Sequence, residues 1–424
     1  MIDIKRNINK VRRSKDGKTL ISNFAYLSLL QVIGYVFPLI TLPYLARVIG
    51  IDSFGEIAFA HSIVVYFETF TTFGFNYTAV RDIAKNRDDI NEVSRIFSNV
   101  MFAKVVLMVI SSIIFSICVY TIPFLYEKKI ILWLTFLYIP GHILFPDWLF
   151  QALEKMKYIT IMNVLSKLVF TLLVFVIIRE KSDYIYQPVL TAFGFFMSGV
   201  ISLLFVYNKL GIKFIVPYFR DVWDTIIGSF NMFISLFLPN LYTNFSVTLL
   251  GIYEGSVATG IYSSGKRFVD LCDQITGVLS RTFFPFLARR IDKHNLYVKI
   301  SGSLSIIMGI LLFLGADLLI KVFYTSEFKD AAIILRIMSI APFFLFLMNT
   351  YGPNYLVLKG KENILRNIIV FCSIGGFILA WIAISHLSYI GVAITVTVVW
   401  GIRGLLTLYY ANRLKHNKDN ILSQ

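Results

Sequence analysis

Charge is scarce in this chain. Only 15% of its 424 residues are Asp, Glu, Lys or Arg, and 57% are hydrophobic. Ordinary soluble domains carry about 25% charged residues, so a water-soluble globular fold is excluded. Cysteine is scarce too. Cys118, Cys272 and Cys372 each sit in apolar segments and share no metal-ligand spacing. That excludes a disulfide framework and leaves them as small packing residues. No metal site and no cofactor is expected. "DGKT" (16–19) lacks the preceding glycine of a phosphate loop, so ATP hydrolysis is not implied. The basic start "MIDIKRNINKVRRSKDGKTL" runs into more than twenty apolar residues. A secretory signal has a shorter apolar core and a small-residue cleavage site. The stretch therefore reads as a retained first helix entering from the cytoplasm.

What the chain has instead is oil. Phe (39) and Tyr (23) are abundant, and mean hydropathy is +0.72. A bilayer-crossing helix needs about 20 mostly apolar residues. Twelve segments qualify, near 20–46, 55–80, 96–122, 130–152, 159–178, 186–207, 227–250, 256–284, 300–323, 329–356, 365–386 and 389–410. The net charge of +15 would suggest nucleic acid in a soluble protein, but here it sets topology. With both termini cytoplasmic, inner segments hold 26 Lys/Arg and outer connections hold seven. Nucleic acid is not an expected partner.

The outer connections run to about ten residues at most. They are too short for the external domain of a polysaccharide polymerase or ligase, and no enzyme is expected. The segment 208–229, mixing aromatic and basic residues, suits an interfacial helix on the inner leaflet. The expected organisation is an N-terminal six-helix lobe with its basic tail (1–207), a cytoplasmic linker (208–226) and a C-terminal six-helix lobe (227–424).

The halves echo each other. Pro38 precedes Gly50 by twelve residues, as Pro239 precedes Gly251, at an offset of 201. "FQALEKMKYI" (150–159) parallels "YLVLKGKENI" (355–364) at an offset near 205. Six helices per half return the chain to its starting side, so the copies are parallel. Transport sites tend to lie between such repeats. Pro38 and Pro239 are hinge candidates, since each removes a backbone hydrogen bond.

The eighth segment carries charge inside the membrane: "TGIYSSGKRFVDLCDQI" (259–275). Thr259, Ser263, Lys266, Asp270, Asp273 and Gly277 fall within about 80° of one helix face. Facing lipid, four charges would cost on the order of 10 kcal/mol. The stripe is therefore expected to face an internal aqueous cavity. His61, Glu68, Thr72 and Asn76 form a thinner stripe on the second segment.

Further basic groups lie inside spans at Lys104, Lys167, Arg336 and Arg403, with Arg47 and Arg281 near helix ends. Asp147 and Asp317 are the remaining acids, and a buried Arg–Asp pair locking two helices is the alternative reading for any one of these. A cationic surplus attracts an anionic cargo, and Arg suits phosphate oxygens. Lys266, Arg267, Arg47, Arg281, Lys104, Lys167 and Arg336 are the cargo-binding candidates. Glu68, Asp270, Asp273 and His61 are the candidates for proton or ion coupling.

"NFAYLSLLQVIGYVFPLITLPYLARVIGIDSFGEIAFA" (23–60), "PDWLFQALEKMKYIT" (146–160) and the 259–275 stretch resemble Wzx-type flippases. These form the polysaccharide branch of the multidrug/oligosaccharidyl-lipid/polysaccharide exporter superfamily. The resemblance runs from about residue 20 to 412. It implies an all-α polytopic membrane protein with twelve helices in two six-helix lobes around a central cavity. It implies a cargo of undecaprenyl-pyrophosphate-linked repeat units for O-antigen or capsule, moved to the outer leaflet of the bacterial inner membrane by alternating access. Such a protein would act as a monomer, with a polysaccharide polymerase and a chain-length regulator as partners. The rivals are a multidrug-type exporter, which favours acidic chambers, and a peptidoglycan-precursor flippase, which adds two helices.

Overall fold

The computed structural model describes residues 15–422. Most of the basic N-terminal stretch used in the charge count lies outside the described residues. The chain is almost wholly helical. Its main elements are α1 (Lys15–Thr72), α2 (Phe75–Lys85), α3 (Ile90–Thr121), α4 (Lys129–Phe136), α5 (Tyr138–Leu144), α6 (Asp147–Ala152) and α7 (Met156–Ile177). They continue as α8 (Tyr186–Leu210), α9 (Phe219–Phe237), α10 (Asn240–Arg289), α11 (His294–Phe323), α12 (Ala331–Met338), α13 (Ala341–Tyr351) and α14 (Glu362–Leu422).

Helices dominate because lipid offers backbone groups no hydrogen-bonding partner, so each segment must satisfy its own. Hydroxyl side chains follow the same rule: Ser112, Ser116 and Thr135 each donate to the carbonyl four residues back. Among the described residues, eight helices are long and apolar enough to cross a membrane. The count is nine if α9 and the start of α10, bent by 56° across Pro239, form one span. Large side chains such as Leu314, Phe371 and Ile117 lie exposed on these helices. This is a multi-pass membrane protein.

Eight or nine is fewer than the twelve segments read from hydropathy, and three backbone breaks account for much of the difference. α1, α10 and α14 run straight through expected connections, interrupted only at Gly50, Gly255 and Ser388. Gly50 (φ 72°, ψ 177°) and Gly255 (φ 81°, ψ −169°) occupy the same region, which is essentially closed to residues with a Cβ. They lie 205 residues apart, as do Gly55 and Gly260. A second pair of matching turns lies 206 residues apart, one residue from this offset. Lys155 N–H donates to the Phe150 carbonyl after Glu154 (φ 58°), and Lys361 N–H donates to the Leu356 carbonyl after Gly360 (φ 67°). The backbone thus favours an offset of 205 over 201, and Gly255, not Gly251, is the counterpart of Gly50.

Packing divides the chain into two compact units. The first comprises residues up to Thr41, Phe67–Arg179 and Ile185–Ile234; the second comprises Leu42–Tyr66, Glu180–Tyr184 and residues from Ser235 onward. In the first, α5 packs on α8, and α7 lies beside it. Asp89 caps α3 by accepting from the N–H groups of Asn91 and Glu92. In the second, α10 packs on α14 and α12, with Tyr262, Leu335, Val396 and Phe328 in its core.

Close glycines let α1 and α10 touch within this second unit. A Cβ on Gly55 would stand 1.8 Å from the Ser256 carbonyl oxygen, and one on Gly260 would stand 2.7 Å from that of Ile51. Small residues at a helix crossing permit such backbone approach. Three connections that the charge count assigns outside meet at one end of this unit. Lys181 pairs with Asp52 at 3.3 Å, Tyr184 O–H donates to Glu56 at 2.7 Å, and Ile51 N–H donates to Glu327 at 3.3 Å. They share an end, as connections on one side of a membrane must.

The expected interfacial helix at 208–229 is in part something else. Residues 211–218 are extended, strapped to α3 by Lys213 N–H donating to Ser94 Oγ (3.1 Å) and Ile215 N–H to Ser98 Oγ (2.8 Å). Helix begins again only at Phe219. Pro239 sits at the break between α9 and α10, whereas Pro38 lies inside an uninterrupted stretch of α1.

Candidate functional site

The second unit gathers charge on the half of α10 that follows Gly255. Lys266 Nζ donates to Asp270 Oδ1 at 2.5 Å, an i,i+4 pair whose side chains are 20% and 36% exposed. One turn on, half-buried Asp273 lies in the electrostatic field of Asp270, Lys266, Arg281 and Arg403. Arg403 comes from α14, so two helices supply the patch. Three cations against two carboxylates leave a surplus of one positive charge. Partial exposure matters here, because an ion pair that still meets water can exchange partners at modest cost.

The polar face continues beyond the charges. Asn349 Nδ2 donates to Thr276 Oγ1 at 3.3 Å, and Asn354 Nδ2 donates to Ser280 Oγ at 2.6 Å. Both asparagines flank the start of a π-helical turn, Gly352–Leu356. His294 Nε2 carries a hydrogen donated to the Thr350 carbonyl at 3.1 Å. Sequence reading missed Asn349, Asn354 and His294. Two asparagines in the apolar run 341–356 were the available signal.

The first unit holds a different cluster. Lys104 is 1% exposed, under the Trp148 ring at 5.7 Å, and lies in the field of both Asp147 and Glu68. Glu68 approaches His142 Nε2 at 4.0 Å, with Tyr138 beside it. Two acids against one lysine give this cluster the opposite sign. His142 and Tyr138 were not on the sequence-derived list; "PGHILFPDW" (140–148) shows the histidine and aspartate that mark the spot.

The remaining candidates scatter. Arg267 is exposed, off the polar stripe, and acts on Tyr324. Arg47 and His61 are exposed, and half-buried Lys167 reaches toward Gly34 of α1. Two further candidates differ in setting. Lys104 is buried, in the field of Asp147 and Glu68. Arg336 pairs with Asp317 on a face crowded by exposed Leu314 and Leu318. The pair joins α11 to α12, as the helix-locking alternative describes. Arg336→Ala should leave transport within twofold of wild type and stability within about 1 kcal/mol, as exposed pairs do. Initial transport rates and thermal unfolding check it.

Comparison with known proteins decides the family. Residues 20–291 match the family model described as "Polysaccharide biosynthesis protein". The chain belongs to this family. Two relatives carry the name "Putative O-antigen transporter". The one from Escherichia coli (strain K12) is 29% identical over 385 residues, 89% of this chain and 93% of its own. The one from Shigella dysenteriae is 25% identical over 384 residues, 88% and 95%.

These relatives support the Wzx-type resemblance drawn from the motifs. The fold is shared with solved transporters. One is described as "Lipid II flippase MurJ, inward closed conformation" (TM-score 0.70, 12% identity, 92% of this chain and 87% of that one). Another is an inward-facing multidrug resistance MATE family transporter of the MOP superfamily (TM-score 0.63, 14% identity, 94% and 99%).

Proposed function

We propose that this family member is a flippase for undecaprenyl-pyrophosphate-linked oligosaccharide repeat units, precursors of O-antigen or capsule. It would carry them from the cytoplasmic to the outer leaflet of a bacterial inner membrane. The reading rests most on one observation: the half-exposed Lys266–Asp270–Asp273–Arg403–Arg281 patch of α10 and α14. The family match and the relatives' names supply its context.

A sugar–pyrophosphate head cannot enter hydrocarbon unaided, because each unsatisfied polar group costs several kcal/mol. In this scheme Lys266 exchanges Asp270 for a phosphate oxygen, and Arg281 and Arg403 add donors suited to the same group. The polyprenyl tail stays in lipid. The architecture proposed with it has twelve spans, counting each helix broken at Gly50, Gly255 and Ser388 as two. The lobes are 1–207 and 227–424, the linker is 208–226, and both termini are cytoplasmic. Alternating access then opens and closes the outer-end contact of Ile51 with Glu327, which joins the two proposed lobes.

An inside-negative potential favours outward movement of an anion by about 2.3 kcal/mol per charge per 100 mV. Glu68, Asp270, Asp273 and His61 are the groups through which a proton could add to that drive. Deleting the gene should abolish surface polymer and leave lipid-linked repeat units on the cytoplasmic face. Polymer at wild-type level, with no such accumulation, would sink the reading.

A further inference from the structure

A polar cavity of about 400 Å³ opens where α2 ends, α3 begins and α9 passes over them, all within the first unit. Its walls are firmly held. Thr78 Oγ1 and Ser229 Oγ share a hydrogen bond at 2.7 Å, and the Phe73 and Phe233 rings stack at 4.4 Å with 3° between their planes. The strap at 211–218 ties α9 to α3 from the other side. By the charge count this is the cytoplasmic end, since 81–95 and 209–220 are both basic inner segments.

Four of the lining charges satisfy each other. Arg81 forks onto Asp82, and Arg95 onto Glu92. What is left is unbalanced. Asp221, half-buried and in the field of Arg95, and exposed Asp224, one turn apart on α9, make no ion pair among the described residues, and neither does Lys85. Asn99 lines the same space, is 7% exposed, and its carboxamide oxygen has no hydrogen-bond partner. Buried polar atoms are nearly always partnered, so such an orphan asks for a donor. The residue is therefore acceptor-rich, two carboxylates and a carbonyl, with one ammonium nearby.

The opposite side of α9 is oily. Phe219, Trp223, Ile227 and Phe230 are between 52% and 77% exposed at helical spacing, and Val216 and Tyr218 of the strap reach 81%. An amphipathic helix with this division lies at the level where head groups meet acyl chains.

We propose that the cavity binds the head group of an aminophospholipid from the inner leaflet. Its primary ammonium would donate to Asp221, Asp224 and the Asn99 oxygen, and its phosphate would meet Lys85. Three N–H donors suit two carboxylates and an unpartnered carbonyl, so a quaternary ammonium of equal charge cannot substitute. This site goes beyond the transport reading and does not depend on it.

The test uses the full chain in nanodiscs containing either phosphatidylethanolamine or phosphatidylcholine in an otherwise identical mixture, with bound lipid counted by native mass spectrometry. Wild type should retain the ethanolamine lipid at least fivefold over the choline lipid, and D221N/D224N should lose that preference while staying monodisperse. Equal retention of the two lipids by wild type overturns the proposal, with no variant needed. A preference unchanged in D221N/D224N also overturns it. Soluble phosphoethanolamine at millimolar concentration should compete poorly. Full displacement of the lipid by it would reassign the site to a free amine. Repeat-unit flipping is not the readout, so this proposal and the flippase reading can fail separately.

Discussion

Lys266→Met should cut the initial rate of lipid-linked repeat-unit flipping in reconstituted vesicles by about ten- to a hundredfold. The figure follows from losing one hydrogen bond between charged groups, about 1.5–3 kcal/mol, at 1.4 kcal/mol per tenfold. The substitution also takes the patch from one surplus positive charge to none, weakening its pull on a pyrophosphate. Folding should barely change, because Asp270, 36% exposed, keeps access to water once its partner is gone. Lys266→Arg should retain most of the rate. A Lys266→Met protein that flips within twofold of wild type would remove Lys266 from the cargo path and the main physical support with it.

The second large effect is on stability. Lys104→Met should cost about 1–3 kcal/mol, because it removes a fully buried cation from the field of half-buried Glu68 and Asp147. Low yield of monodisperse protein and an early thermal transition in detergent are the expected signs. Adding Glu68→Gln and Asp147→Asn removes the stranded charges and should restore most of the loss. If Lys104 instead served the cargo, Lys104→Met would fold normally, and the triple variant would gain nothing over it. The two roles separate in one set of melting curves.

Much of this was legible in the chain itself. Helical membrane character follows from the shortage of charge, and the Lys266–Asp270 pair follows from i,i+4 spacing on a striped helix. What sequence could not supply was the third dimension. Arg403 lies more than a hundred residues from Asp273, and nothing in its local run "WGIRGLL" announces an acidic neighbour. Lys104 looked like any intramembrane cation until Asp147 and Glu68 were found around it. Arg336 and Asp317 are nineteen residues apart on different helices, too far for a periodicity argument to join them. The repeat was visible, but the chain offered two registers: proline spacing suggested 201 and the 150–159/355–364 match about 205, and backbone dihedrals at Gly50 and Gly255 favour 205.

That register has a consequence for the acids. At 205, Glu68 stands opposite Asp273, not Asp270, and His61 opposite Lys266. Corresponding positions thus carry half-buried carboxylates in both halves, one in the field of buried Lys104 and the other in that of Lys266, Arg281 and Arg403.

Gly50 and Gly255 break their helices at a single residue each, leaving no slack at either corner. Peptide tags or reporter domains spliced into either elbow should wreck the machine, whereas natural divergence in length has to accumulate in the slacker connections elsewhere.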